Sequence, residues 1–383
     1  MTILVPQTPT LCTSGPSKTS TMGSCSRLSR VSRDISSADN YEIYIPFCAK
    51  NAAGVHTSAF IQCYTPSTNS WRRAATPIVI PGQHETLVLK DFAMAPLDHH
   101  IYVIGGRLCR KPAGQSDTAG SPRVVACVHR YDVRTDTWES SAPMAHQRFN
   151  FACTVSDGKI YVAGGQSTLG RATGIASAEV YDPALDRWES LPDMSTARYK
   201  CVGVAWQGKI HVFGGFVDDG ENQGPFIMKR SSAEVYHSRR NRWDFVAGMW
   251  ALDVPPYQIA AVNGKLFSSG DCFMPWKGHI DAYDEKENLW NIVRGSRCDC
   301  LSPSSAVEMA RHRVYLTMAP IENYLYFLAG YRMPGDGARL RSEVYAFDTA
   351  ANGVGWQCFE PYEEEGEKEL CGHCCVLKRE SYG

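Results

Sequence analysis

One short pattern returns six times along this chain of 383 residues, and it limits the folds open to the chain more than any other feature. An apolar strand ending in two small residues appears as Ile-Tyr-Val-Ile-Gly-Gly at 101–106, Ile-Tyr-Val-Ala-Gly-Gly at 160–165 and Ile-His-Val-Phe-Gly-Gly at 210–215. Weaker copies are Leu-Phe-Ser-Ser-Gly at 266–270 and Leu-Tyr-Phe-Leu-Ala-Gly at 325–330. Ile43 to Cys48 keeps the strand without the glycines. Downstream of five copies a tyrosine stands seven residues before a tryptophan: Tyr64 and Trp71, Tyr131 and Trp138, Tyr181 and Trp188, Tyr236 and Trp243, Tyr283 and Trp290. In the sixth, Tyr345 precedes Trp356 by eleven, with extra residues in the turn.

Each Tyr-to-Trp stretch reads as strand, Asp/Pro/Asn-rich turn and strand, a hairpin pattern. A further apolar strand precedes the glycines, as in Phe151 to Val155 and Cys201 to Ala205. Four short strands per repeat, each unit able to bury its faces only against the next, make an all-β, six-bladed propeller. In this reading the glycines allow a sharp turn near a crowded axis, and the aromatic pair fills the wedge between blades. Arg148, Arg198 and Arg313, all seventeen residues before the last glycine of their repeats, read as hydrogen-bonding devices between blades. Residues before Tyr41 offer no innermost strand for the first blade, whereas 374–378 resemble one. That segment is expected beside Ile43 to Phe47, so that the C-terminal strand closes the ring in the first blade.

The diglycine, Tyr and Trp in this order resemble the kelch repeat from Tyr41 to the end of the chain. Stretches such as 160–165 and 178–183 are similar to those of plant F-box/kelch-repeat proteins. The resemblance implies a propeller that holds a protein while an F-box docks on a ubiquitin-ligase scaffold. Residues 1–40, Ser- and Thr-rich and poor in large apolar side chains, cannot form an F-box core and are read as a disordered or targeting tail ahead of a propeller at 41–383.

Composition narrows the chemistry. A net charge of -1 gives no drive toward nucleic acid or an anionic membrane, and no apolar run reaches bilayer-spanning length. With no secretory signal, the expected compartment is cytoplasm or nucleus, organellar targeting by the tail being the alternative, and the fifteen cysteines are read as reduced thiols. Cys371-Gly-His-Cys374 has the spacing of a redox or zinc motif but lacks the helix N-terminus of the first and a nearby second pair for the second. The acidic run from Glu360 to Glu369 is read as a solvated loop. A small-molecule or metal-binding propeller enzyme of the galactose-oxidase type is the alternative, yet only His99 and His100 are close neighbours among the histidines, and adjacent strand residues point to opposite faces. The expectation is therefore a monomeric, non-catalytic module without cofactor or metal that binds a protein or peptide. Its face should hold the residues after each glycine pair, Arg107, Gln166, Phe216, Asp271, Tyr331 and Arg332, and those two places after each repeat arginine, Asn150, Lys200 and Tyr315. Insertions at 108–122 and 217–229 would enlarge its rim.

Overall fold

The computed structural model describes residues 29–30, 40–50, 56–75, 87–110, 121–217, 229–301, 312–333, 339–350 and 355–379. Among these, six antiparallel-based sheets have four or more strands, accompanied by one two-stranded and one three-stranded ribbon. The third sheet shows why the sequence folds so. Ala152–Ser156 and Lys159–Ala163 join through Asp157-Gly158, both at positive φ, and Ala178–Asp182 and Arg187–Leu191 complete the meander. The same order recurs in the second sheet (Ala93–Leu97, His100–Ile104, Val128–Asp132, Thr137–Ser141), the fourth (Val202–Trp206 to Arg242–Val246) and the fifth (Ile259–Val262 to Leu289–Ile292).

Tyr and Trp of each repeat are cross-strand partners, Tyr181 opposite Trp188 for example, with ring centroids 5.0–5.4 Å apart in the first five sheets. The tyrosine hydroxyl donates to the residue five places on: Asn69, Asp136, Asp186, Asn241 or Asn288. Every one of those acceptors has φ between 44° and 56°, the left-handed conformation that Asn and Asp tolerate best. The tyrosine thus locks the turn that returns the chain to the tryptophan. Trp188, Trp243 and Trp290 donate their indole N–H to Ala142, Pro192 and Met249 carbonyls, just beyond the preceding sheet's last strand. Each of these three repeats is therefore stapled to its predecessor. Tyr181 is fully buried but Trp188 only half so, which shifts the apolar core toward the tyrosine.

The repeat arginines divide. Arg148 and Arg198 have no exposed surface. The Arg148 carbonyl accepts from Gly106 N–H of the second sheet at 2.8 Å, while its guanidinium donates to Gly164 and Ser177 carbonyls and Glu179 in the third, at 2.9, 2.9 and 2.6 Å. Arg198 repeats this one sheet on, from Gly165 N–H to the Gly214 carbonyl and Glu234. Glycine is required for this approach: a Cβ on Gly105 or Gly164 would stand 2.6 Å from the Arg148 or Arg198 carbonyl oxygen, and both glycines have positive φ. Arg313, in contrast, is half-exposed and donates to the Leu301 carbonyl, so it is not a third copy.

The end sheets differ in build. Tyr41–Lys50 pairs with His56–Thr65, and its other edge takes two C-terminal strands, Cys375–Lys378 along Tyr41 to Tyr44 and Glu367–Leu370 along Phe47 to Lys50. The position expected for one strand is thus divided between two. Glu42, buried beneath this junction, accepts from Tyr44, Arg72 and Arg379, and these partners hold its carboxyl below the usual range against the opposing effect of burial. Cys48 and Cys371, 323 residues apart, form a disulfide across it, which corrects the all-thiol reading. In the sixth sheet His312–Ile321, Tyr324–Arg332 and Arg339–Asp348 are nine or ten residues long. Ser29–Arg30 pairs in parallel with Gln357 and Cys358 there, and the expectation for the rest of 1–40 lies outside the described residues apart from Asn40.

Innermost strands touch in sequence: 93–97 with 152–156, then 202–206, 259–262, 312–321 and 375–378, which touches 93–97. Contact is close because Gly203 lies against the Cys153 backbone and Gln258 bonds the Met318 carbonyl and N–H like a strand partner. Among the described residues no helix is long and apolar enough to cross a membrane.

Candidate functional site

Above the innermost strands, at the glycine end of the sheets, the backbone of successive repeats follows one course. The residue after each glycine pair faces a residue of the incoming segment: Arg107 with Lys90, Gln166 with Phe149, Phe216 with Tyr199 and Asp271 with Pro256. In the second, third and fourth repeats the next incoming residue, Asp91, Asn150 or Lys200, has φ of 52–54°. Their backbones form a chain of hydrogen bonds, Asp91 N–H to the Cys371 carbonyl, Asn150 to Asp91 and Lys200 to Asn150. A rim of hydrogen-bonded left-handed residues results, with a lysine held in a conformation that few lysines adopt. It borders an open cavity of about 400 Å³ lined by Asp91, Asn150, Lys200, Tyr257, Cys272 and His373, among others.

Two of the nine sequence-derived face residues, Asn150 and Lys200, line this cavity, and Arg107, Phe216 and Arg332 lie outside its lining. Lys200 is exposed, and Asn150 and Phe216 are half-buried. Arg107 pairs with Asp91 and lies 5.4 Å over the Phe149 ring. Arg332 is held bidentate by Glu367, at 2.8 and 2.9 Å. The other four are corrections. Gln166 and Asp271 are buried: Gln166 donates to the Arg171 carbonyl and accepts from Asn150, and Asp271 receives the N–H groups of Phe273 and Met274. Tyr315 and Tyr331 are core residues, 4% and 3% exposed, donating to or sharing a proton with Ser342 and donating to the Cys300 carbonyl respectively. The long strands of the sixth sheet explain this. With one glycine in place of two, Tyr324–Arg332 runs straight through Gly330, whose missing side chain is filled by the Tyr315 ring.

Sequence reasoning missed the loop at 272–276, where Phe273 and Met274 are 74% and 54% exposed and Phe273 approaches Phe216 at 6.2 Å. Tyr199 flanks Phe216 at 5.4 Å and the Arg230 guanidinium lies 5.6 Å over it. Two adjacent apolar residues after a lost diglycine were the available signal. The insertion at 108–122 lies mostly, and that at 217–229 almost wholly, outside the described residues.

Two other sequence motifs take structural roles. Cys371 is bonded to Cys48, and the Cys374 thiol, pushed up to about 11 by burial, accepts from the Thr317 hydroxyl and donates to the Met318 carbonyl. His373, exposed at the cavity, lies edge-on to Tyr257 at 5.0 Å. The acidic run is no solvated loop. Tyr362–Glu365 pairs with Arg339 to Ser342, Glu364 bonds the buried Lys368, and Glu369 pairs with Lys50 and Lys90.

The repeated diglycine, the buried Arg–Glu pair and the Tyr–Trp pair coincide within one stretch, and the kelch motif matches residues 147–195 there. Residues 147–195 thus carry a kelch motif. An F-box/kelch-repeat protein of Arabidopsis thaliana is 36% identical to the chain over 105 residues, 27% of this chain and 26% of the relative. Kelch-like protein 21 of Homo sapiens is 34% identical over 261 residues, 61% of this chain and 40% of the relative. A second Arabidopsis F-box/kelch-repeat protein is 28% identical over 129 residues, 34% and 29% of the two chains. The chain thus spans between a quarter and two-fifths of these relatives' lengths, and their names share the kelch repeat.

Proposed function

We propose that residues 41–383 form a six-bladed kelch propeller, closed through the C-terminal strands, whose diglycine-end face recognises an acidic or phosphorylated peptide segment of another protein. Cyclic contact among the innermost strands supports the ring. One observation carries the binding role: equivalent positions of successive repeats bring Asp91, Asn150 and Lys200 to the lining of one open cavity, where Arg107 pairs with Asp91 and Cys272 leads into the exposed Phe273 and Met274. A cation in a fixed backbone conformation next to exposed aromatic surface is suited to a carboxylate or phosphate flanked by an apolar residue. Names of relatives that join F-box and kelch extend this reading to substrate recognition or scaffolding in a ubiquitin-ligase setting. The module acts by binding and not by catalysis.

An array of acidic and phosphorylated peptides, probed with the purified chain, tests this. Lys200→Glu should weaken the peptides selected by wild type at least tenfold while the circular dichroism spectrum stays unchanged. A folded Lys200→Glu variant that binds them equally well, or a wild-type chain that selects none, contradicts the proposal.

A further inference from the structure

At the opposite end of the second sheet from Gly105 and Gly106, three side chains converge that the sequence keeps apart. His99 lies in the turn between Ala93–Leu97 and His100–Ile104, after Asp98 at a φ of 52°. Asp132 ends the neighbouring strand directly opposite His100. Adjacent residues of a strand would point to opposite faces, but His99 is a turn residue, so the alternation does not apply. The imidazoles lie 3.9 Å apart between ring centroids. Both Nε2 atoms face the same oxygen, Asp132 Oδ2, at 3.6 and 3.8 Å, and one nitrogen or oxygen from each residue lies within 4.8 Å of the others. Among the described residues this is the one group of three His, Cys, Asp or Glu side chains so arranged.

These distances are too long for direct hydrogen bonds. They approach the edge of a tetrahedron whose centre binds nitrogen and oxygen at about 2.0–2.1 Å, where ligand atoms stand about 3.4 Å apart. The other carboxylate oxygen is already engaged: Asp132 Oδ1 accepts from the Arg134 and Thr135 N–H groups and has Arg134 Nε at 3.6 Å. Oδ2 is thereby fixed toward the imidazoles. Side-chain exposures of 31%, 18% and 18% leave one open side. We propose that His99, His100 and Asp132 form a binding site for a divalent transition-metal ion of the zinc class, with three protein ligands and a fourth position open to water or a partner's carboxylate. Two imidazoles and one carboxylate select zinc or cobalt over magnesium, which demands an all-oxygen octahedron.

Titration of the intact chain with Zn²⁺ by calorimetry, and with Co²⁺ by visible absorption, tests this. Cobalt at His–His–Asp gives a tetrahedral d–d band without thiolate charge transfer, which separates it from binding by the chain's cysteines. Expected is one such Co²⁺ per chain, displaced by Zn²⁺ and not by Mg²⁺, and weakened at least tenfold by His99→Gln and by Asp132→Asn, a variant that keeps the turn-capping oxygen. His279→Gln, removing a histidine paired with Asp281 alone at 3.3 Å, should leave binding unchanged. A wild-type chain with no tetrahedral cobalt band, a thiolate spectrum, or full binding by folded His99→Gln overturns the proposal.

Discussion

The junction between the second and third sheets and the junction between the chain ends solve the same problem with different chemistry. At the first the chain is continuous, and a single buried arginine serves both sides: its carbonyl binds one sheet and its guanidinium the next. At the second, segments more than 300 residues apart must meet. There the innermost place is shared by Glu367–Leu370 and Cys375–Lys378, joined by the Cys48–Cys371 disulfide. The buried cation there is Lys368, which bonds Gln62 and Glu364 and lies 4.2 Å over the Phe47 ring. Burial lowers its pKa to about 8, against the pull of Glu364. Burial penalises the charge of both cations, but Arg148 is surrounded by the acceptors Gly164, Ser177 and Glu179, and a guanidinium gives up its proton far less readily than the Lys368 ammonium. Continuity of the chain lets a repeat reuse one residue, and a junction between distant segments needs several.

The widest expected difference between the two junctions comes from removing each cation. Arg148→Met should cost about 3–5 kcal/mol, because Glu179 stays buried without its partner. Lys368→Met should cost far less, since Glu364 is partly exposed and the new side chain suits the apolar cage. Urea unfolding of both variants measures this, and equal losses would erase the distinction. Next in size, Cys48→Ala should remove about 2–4 kcal/mol in the oxidised protein and little after reduction. Equal unfolding midpoints for wild type with and without reductant would show that the ends hold without the disulfide.

A smaller effect probes the interior repeats. Burial lowers the His211 pKa to about 4, below the roughly 6.5 of an unfolded histidine. The folded state therefore keeps this ring neutral, and stability present above pH 6.5 is lost as pH falls from there to about 4, then levels off. The contribution is at most about 3.5 kcal/mol at roughly 1.4 kcal/mol per unit. His211→Phe, which retains a ring near Phe213 and Trp206, should flatten the stability profile over that interval. An unchanged profile would place the acid sensitivity elsewhere.

Periodic residues were legible in the sequence for a physical reason: Gly105, Tyr181 and Arg148 each do a job set by local spacing, so the spacing reveals the job. Lys200 and Asn150 follow from the same register. What was not legible depends on partners far along the chain. Glu364 and Glu369 look solvated until the strands holding Lys368, Lys50 and Lys90 are placed beside them. Tyr315 and Tyr331 were misplaced because the loss of one glycine lets a strand continue, which the shared spacing conceals. His99 and His100 were read as strand neighbours, and only the turn brings both to Asp132.

The central claim is that the C-terminal strands complete the sheet begun at Tyr41 and so hold first and last repeats together. Thermal unfolding of a chain ending at residue 370 tests it most directly. Loss of the disulfide, of the Cys375–Lys378 pairing and of Arg379 from Glu42 should lower the melting temperature by many degrees and expose an open strand edge that associates. A monomeric truncated chain with the melting temperature of the full one would contradict the account.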